Sequence, residues 1–147
     1  MKIILASDHG AFELKKFIQE KLEAEGQEVL NLGVNEPVRI DYPDKAEEAC
    51  ERLKEEAYDL AILFCGTGIG MSIAANKISG IRAAHIADVY SARMAKQHNN
   101  ANVICIGGRT IGPELAWAMV SAFLESEFEG GRHAERIEKI MSLEDRA

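Results

Sequence analysis

Three short apolar runs constrain this chain more than any other feature: Ile3-Ile4-Leu5-Ala6, Leu60-Ala61-Ile62-Leu63-Phe64-Cys65 and Val103-Ile104-Cys105-Ile106. None of them alternates with polar residues. A backbone that is apolar on both faces suits a strand inside a parallel sheet, covered from both sides. Each run stops abruptly, at Ser7-Asp8-His9-Gly10, at Gly66-Thr67-Gly68-Ile69-Gly70 and at Gly107-Gly108-Arg109. After the first stop, Phe12, Leu14, Phe17, Ile18 and Leu22 recur at helical spacing, with Gly26 placed to end the helix. Glu28 to Asn31 reads as a second strand, followed by a polar loop through Asn35-Glu36-Pro37 and a helix over about residues 43–56 with Pro43 in its first turn. A short helix through Ala74 to Lys77, a fourth strand from Ile81 to Ile86 and a helix from Val89 to Gln97 come next. The fifth strand precedes helices from Glu114 to Leu124 and, beyond Glu129-Gly130-Gly131, from about His133 to Leu143.

Strands alternating with helices through short loops predict an α/β fold, a doubly wound, flavodoxin-like (Rossmann-like) parallel sheet with helices on both faces. For five strands the expected order is 2-1-3-4-5. The 147 residues suffice for one domain spanning 1–147, in which about 130–147 form a C-terminal helical extension free to reach away from the sheet toward a partner subunit. Lys plus Arg total 17 against 24 Asp plus Glu, a balance of 17 − 24 = −7. An acidic chain is poorly suited to nucleic acid or to anionic membranes, so neither is expected as a partner, and any phosphate must be held by a few local cations. The three cysteines form neither a CxxC pattern nor a disulfide framework. With no signal peptide at Met1-Lys2-Ile3-Ile4 and only strand-sized apolar runs, the expected location is cytoplasmic.

In an open α/β sheet, ligands sit beyond the carboxyl ends of the strands where the strand order reverses, which here is between the first and third strands. Asp8 and His9 therefore converge with Cys65 and the glycine loop. The glycines either permit a tight turn or present consecutive N–H groups to an anion. Their spacing is neither that of a dinucleotide fingerprint nor that of a P-loop, so a cradle for an oxyanion suits them better. A cysteine ending an apolar strand is ordinarily a small core residue, as Cys50 and Cys105 are expected to be. Cys65 differs because it abuts the glycine loop and a helix start, where a thiolate is favoured as base or nucleophile. Thr67 can relay a proton through its hydroxyl. Asp8 reads either as a site residue or as the cap of the first helix. His9 and His98 lie where ligands can reach, while His85 and His133 read as structural or peripheral. Arg132 and Arg136, one turn apart, either pair with Glu135 or Glu138 or clamp a phosphate.

These residues resemble the type B ribose-5-phosphate isomerases, a family that includes galactose-6-phosphate and allose-6-phosphate isomerases. The likeness runs from Lys2 to about Leu143 and rests on Ser7-Asp8-His9-Gly10, Asp41-Tyr42-Pro43, the run from Cys65 to Lys77, Gly80-Ile81-Arg82-Ala83, Gln97 to Asn102 and Gly130-Gly131-Arg132-His133. The resemblance implies an aldose–ketose isomerisation of the pentose phosphate pathway, through a cis-enediolate, with no metal and no cofactor. It implies that Cys65 moves a proton between C1 and C2, Thr67 assists at the neighbouring oxygens, and His98, helped by Asp8, opens the furanose ring. The amides of Gly66, Thr67, Gly68, Ile69 and Gly70 would stabilise the enediolate. His9 and Arg109 would hold the phosphate together with Arg132 and Arg136 of a partner subunit, and Tyr42 and Asn99 would line the sugar pocket. The expected assembly is a homodimer with shared active sites, or a tetramer of such dimers. Ribose 5-phosphate is the expected substrate. A hexose 6-phosphate or tetrose phosphate would be distinguished by the loop from Gly33 to Ile40 and the residues near Asp88. A non-catalytic domain that binds a phosphorylated ligand is the alternative from another class.

Overall fold

A computed structural model describes residues 1–55 and 57–146. The strands are β1 (Lys2–Ser7), β2 (Glu28–Asn31), β3 (Leu60–Cys65), β4 (Ala83–His85) and β5 (Val103–Gly107). The helices are α1 (Phe12–Ala24), α2 (Tyr42–Glu55), α3 (Ile69–Ala75), α4 (Val89–Gln97), α5 (Pro113–Leu124) and α6 (Arg132–Ser142), followed by a short 3-10 turn. Every strand pair is parallel. The expected fold is therefore present, and Glu56, the predicted end of the second helix, lies outside the described residues.

Along the inner strands, successive side chains enter two separate cores, as a strand's period of two requires. Ile3, Leu5, Ile62, Phe64, Ile104 and Ile106 pack against α1, α4 and α5 on one face. Ile4, Ala6, Ala61, Leu63, Val103 and Cys105 pack against α2 and α3 on the other. Helix α1 contributes Leu14, Ile18 and Leu22 to its core, the inward stripe that its spacing predicts.

Three expectations need correction. The sheet order is β2-β1-β3-β5-β4, not 2-1-3-4-5. β5 is buried along its whole length, whereas β4 is short and only half-buried at Ala83 and Ala84 with His85 exposed. The doubly covered strand takes the interior and the leaner one the edge. β4 is also shorter than Ile81 to Ile86, because Ile81 closes a turn onto Ile78 and the Arg82 amide is bound by the Asn102 side chain at 2.8 Å. Finally, α6 does not reach away. Gly130 and Gly131 both adopt positive φ, +68° and +57°, turning the chain back onto its own body. The Glu144 carboxylate then accepts hydrogen bonds from the Gly80 amide (2.8 Å) and the Ser79 hydroxyl (3.0 Å). Among the described residues, no helix is long and apolar enough to cross a membrane.

Candidate active site

The reversal of strand order still falls between β1 and β3, so the crevice opens where the sequence places it. The corrected order brings the end of β5 next to it as well: Cys65 is in register with Gly107, and the Gly108 and Arg109 amides donate to the Cys65 and Gly66 carbonyls at 2.8 and 2.9 Å. Three chain segments therefore meet at one rim.

At the end of β1, Asp8 is buried, its amide donating to the Phe64 carbonyl at 3.2 Å. Its carboxylate accepts from the Gly10 amide at 2.9 Å, which makes a tight local turn. Asp8 does not cap the first helix; Ala11 occupies that position with no side-chain cap. His9 is half-buried, with Nδ1 3.5 Å from the Ile40 amide. A cavity of about 580 Å³ opens here, lined by Asp8, His9, Arg39, Asp41 and Tyr42 among others.

At the end of β3, the Gly68 amide donates to Cys65 Sγ at 3.2 Å. Gly68 can aim that amide because it sits at φ +79°, a left-handed conformation, against the β5 backbone. A Cβ there would lie 2.9 Å from the Ile106 carbonyl carbon, so glycine is required twice over. The loop leads directly into α3, which begins at Ile69 and ends at Ala75, short of the expected Lys77. The Thr67 hydroxyl accepts from the Ile69 amide at 3.3 Å, and His85 Nε2 meets the Thr67 carbonyl at 2.9 Å, so His85 braces the loop. Tyr42 lies over Gly70, where a Cβ would come within 2.5 Å of its ring. The Arg109 guanidinium spans the rim; Cβ atoms at Gly66 and Gly10 would sit 3.2 and 3.3 Å from its two terminal nitrogens. Asp8, His9, Tyr42, Cys65, the loop from Gly66 to Gly70 and Arg109 thus assemble at one place.

The other two cysteines behave as core residues. Burial, reinforced by Glu51, pushes the Cys50 thiol up to about 12, and the enclosed Cys105 thiol is raised well above its ordinary value by burial foremost.

His98, Asn99, Arg132 and Arg136 do not join this group within one chain. His98 ends α4, and the segment after it feeds the start of β5, the opposite end of the sheet from Cys65. Five residues of strand put about 13 Å between the two ends. The Arg82 guanidinium fixes this corner by donating to the Asn99 and Asn100 carbonyls at 3.3 and 2.8 Å. The His98 ring stacks on His133, centroids 4.1 Å apart and planes 10° from parallel. Glu129 lies 3.9 Å from His98 Nε2 and 3.6 Å from His133 Nε2. Burial first, then His98 and Arg132, hold the His133 pKa below its ordinary value. Arg132 and Arg136 are exposed, and among the described residues neither pairs with Glu135 or Glu138. This separation has a sequence signal: a segment that precedes a parallel strand lies at the amino end of the sheet. Asp88, expected near the pocket, caps α4 by accepting from the Ser91 amide at 2.6 Å. Sequence reasoning passed over Arg39 on the cavity wall, while the His85 brace is the structural of the two readings given to that residue.

A family model described as Ribose/Galactose Isomerase matches residues 3–140. Ribose-5-phosphate isomerase B of Escherichia coli is 43% identical over 145 residues, covering 99% of this chain and 97% of that protein. D-erythrulose-4-phosphate isomerase of Pectobacterium atrosepticum is 43% identical, covering 95% of this chain and 93% of that protein. Among solved structures, ribose-5-phosphate isomerase B of Mycoplasma genitalium with bound ribulose-5-phosphate superposes with a TM-score of 0.94 at 41% identity, covering 99% of this chain and 97% of that one. Crevice, glycine loop and full-length similarity agree, and the chain belongs to the ribose/galactose isomerase family of aldose–ketose isomerases.

Proposed function

We propose that this chain interconverts ribose 5-phosphate and ribulose 5-phosphate, a step of the pentose phosphate pathway. The observation that carries the reading is the meeting of Cys65 Sγ with the Gly68 amide, inside a loop of backbone donors at the crevice. With the aldehyde of the open-chain sugar at this loop, the Cys65 thiolate takes the proton from C2. Electrons move onto the carbonyl oxygen, giving a cis-enediolate, and the same proton returns to C1 to form the ketose. Amides of the 66–70 loop stabilise the oxyanion, a task for which preorganised donors outperform water. Thr67 moves the proton between the two oxygens. His9 and Arg109 hold the phosphate, and Tyr42 bounds the sugar. These residues perform the steps without a metal or cofactor.

Ring opening is assigned to His98, which lies a sheet's length from the crevice of its own chain. His98 of a second copy fills that role, moving the proton from the anomeric hydroxyl to the ring oxygen beside Asp8, while Asn99 of that copy lines the sugar and its Arg132 and Arg136 join His9 and Arg109 on the phosphate. Three features support a homodimer with shared sites: the sheet-length separation of the two residue sets, two exposed arginines pairing with neither nearby glutamate, and exposed Ile69, Ile73, Ile140 and Leu143. The chain acts as one isomerase domain whose segment from residue 130 onward faces the partner. Its three free cysteines suit a reducing, cytoplasmic location. A tetrose phosphate is the second reading for the substrate, favoured by the Pectobacterium relative.

The test is ketose formation from ribose 5-phosphate, allose 6-phosphate and galactose 6-phosphate, and aldose formation from D-erythrulose 4-phosphate, all with chelator present. Ribose 5-phosphate should turn over fastest, and Cys65→Ala should lower kcat by about 10²–10⁴-fold. Undiminished turnover in Cys65→Ala would remove the thiol base, and preference for another sugar would replace the substrate.

A further inference from the structure

The wall of the crevice is held from inside by a lysine. Lys15 sits on the inward face of α1 with no exposed surface. Its ammonium donates to the Val34 carbonyl at 2.6 Å, to Asn31 Oδ1 at 2.7 Å and to Asn35 Oδ1 at 2.9 Å. A lysine has three donors, and all three are spent on one short segment. Asn31 extends the network by accepting from the Gly33 amide (2.8 Å) and donating to Gln19 and Asn35 (2.8 and 2.9 Å). From the other side, Lys45 of α2 donates to the Leu32 carbonyl at 2.6 Å.

This segment is coupled to the crevice at both ends. Gly33 and Val34 exchange backbone hydrogen bonds with Ser7 at 2.8 and 3.0 Å, immediately before Asp8 and His9. Downstream, the chain passes His9 at Ile40 and reaches Tyr42 against Gly70. Arg39, Ile40, Asp41 and Tyr42 form one wall of the 580 Å³ cavity, which Lys15 itself does not line. The three acceptors are neutral, so no opposite charge offsets the cost of burying the ammonium. An apolar side chain would fill the same helix position without that cost, but it could not make three donors converge on one loop.

We propose that Lys15 is a positioning residue that fixes residues 31–35 and, through them, the wall from Arg39 to Tyr42, so that the cavity keeps the shape its sugar phosphate requires. The choice of sugar rests on the proposed function; the anchoring does not. Cys65 and its amide donor belong to β3 and its following loop, so loss of the anchor falls on substrate binding more than on proton transfer.

The test compares the full-length parent with Lys15→Met, Asn35→Ala and, as a surface control on the same helix, Lys16→Met. Thermal unfolding and sedimentation establish that each variant is folded and assembled as the parent is. Lys15→Met should accelerate amide exchange at residues 32–41 and leave the β3 and β5 amides unchanged. It should raise KM for ribose 5-phosphate about ten-fold with kcat within about two-fold of the parent. Asn35→Ala, which removes one exposed acceptor, should shift both readouts the same way by less, and it decides the matter if Lys15→Met does not fold. Lys16→Met should match the parent. Unchanged exchange at 32–41, or a fall in kcat with KM unaltered, overturns the proposal. If the parent does not turn over ribose 5-phosphate, the substrate reading fails, and the exchange comparison alone still upholds or refutes the anchor.

Discussion

Lys15 and Cys65 are both nearly sealed from solvent, yet they meet burial differently because their partners differ. Lys15 has its charge surrounded by neutral acceptors, and burial first, then repulsion from Lys45, lowers its pKa from 10.5 to about 8. Between those values the unfolded chain holds a proton that the native chain has released, so stability rises with pH across that window. Below about pH 8 both states are charged and the cost of burial is fully present. The unfolding free energy of the parent minus that of Lys15→Met, measured by urea titration, should therefore climb between pH 8 and 10.5. A decline across the same window would mean that the native state favours the ammonium. The position is legible in retrospect, since Lys15, Ile18 and Leu22 share one helical stripe. It is easily missed because lysine is so seldom buried.

At the scale of elements, the junction from β3 through the glycine loop into α3 carries most of the proposed chemistry. One residue, Gly68, serves as left-handed turn, close neighbour of β5 and donor to Cys65. Gly68→Ala would force a Cβ into the Ile106 backbone and displace the donor. Loss of kcat by about 10²–10³-fold is the expected outcome in steady-state kinetics, together with a lowered unfolding temperature, because alanine is strained at this left-handed φ and meets the β5 backbone. A variant with parental kcat would remove the loop from the oxyanion role. This junction was legible because an uninterrupted apolar run ends in alternating glycines. The positions of β4 and β5 were not. Both segments carry enough apolar residues for a strand, and chain order does not say which of the two lies inside the sheet. Burial decides that, and it favours Val103 to Ile106 over a segment containing Arg82 and His85.

At the scale of the whole molecule, the net charge of −7 no longer conflicts with a phosphorylated substrate. The residues proposed to hold the phosphate are few and lie in two places: His9 and Arg109 at the crevice, Arg132 and Arg136 at the far end of the sheet. Sequence alone names all of these residues, and it hints at their separation, because a segment that precedes a parallel strand lies at the amino end of the sheet; the distance itself depends on how the sheet is traversed. Helix α6 illustrates the point. It folds back through Gly130 and Gly131, and still leaves Ile140 and Leu143 exposed at 47% and 55%, as a surface awaiting a second copy would.

The central claim is that each active site draws Cys65 from one chain and His98 from another. It is tested by co-expressing Cys65→Ala and His98→Asn chains under different tags and purifying only the mixed dimers. Each single variant should be nearly inactive alone. The mixed dimer holds one site with both defects and one with neither, so it should recover about half of the parental activity per dimer. Mixed dimers as inactive as either variant would contradict the shared site, placing Cys65 and His98 of the same chain in one catalytic unit.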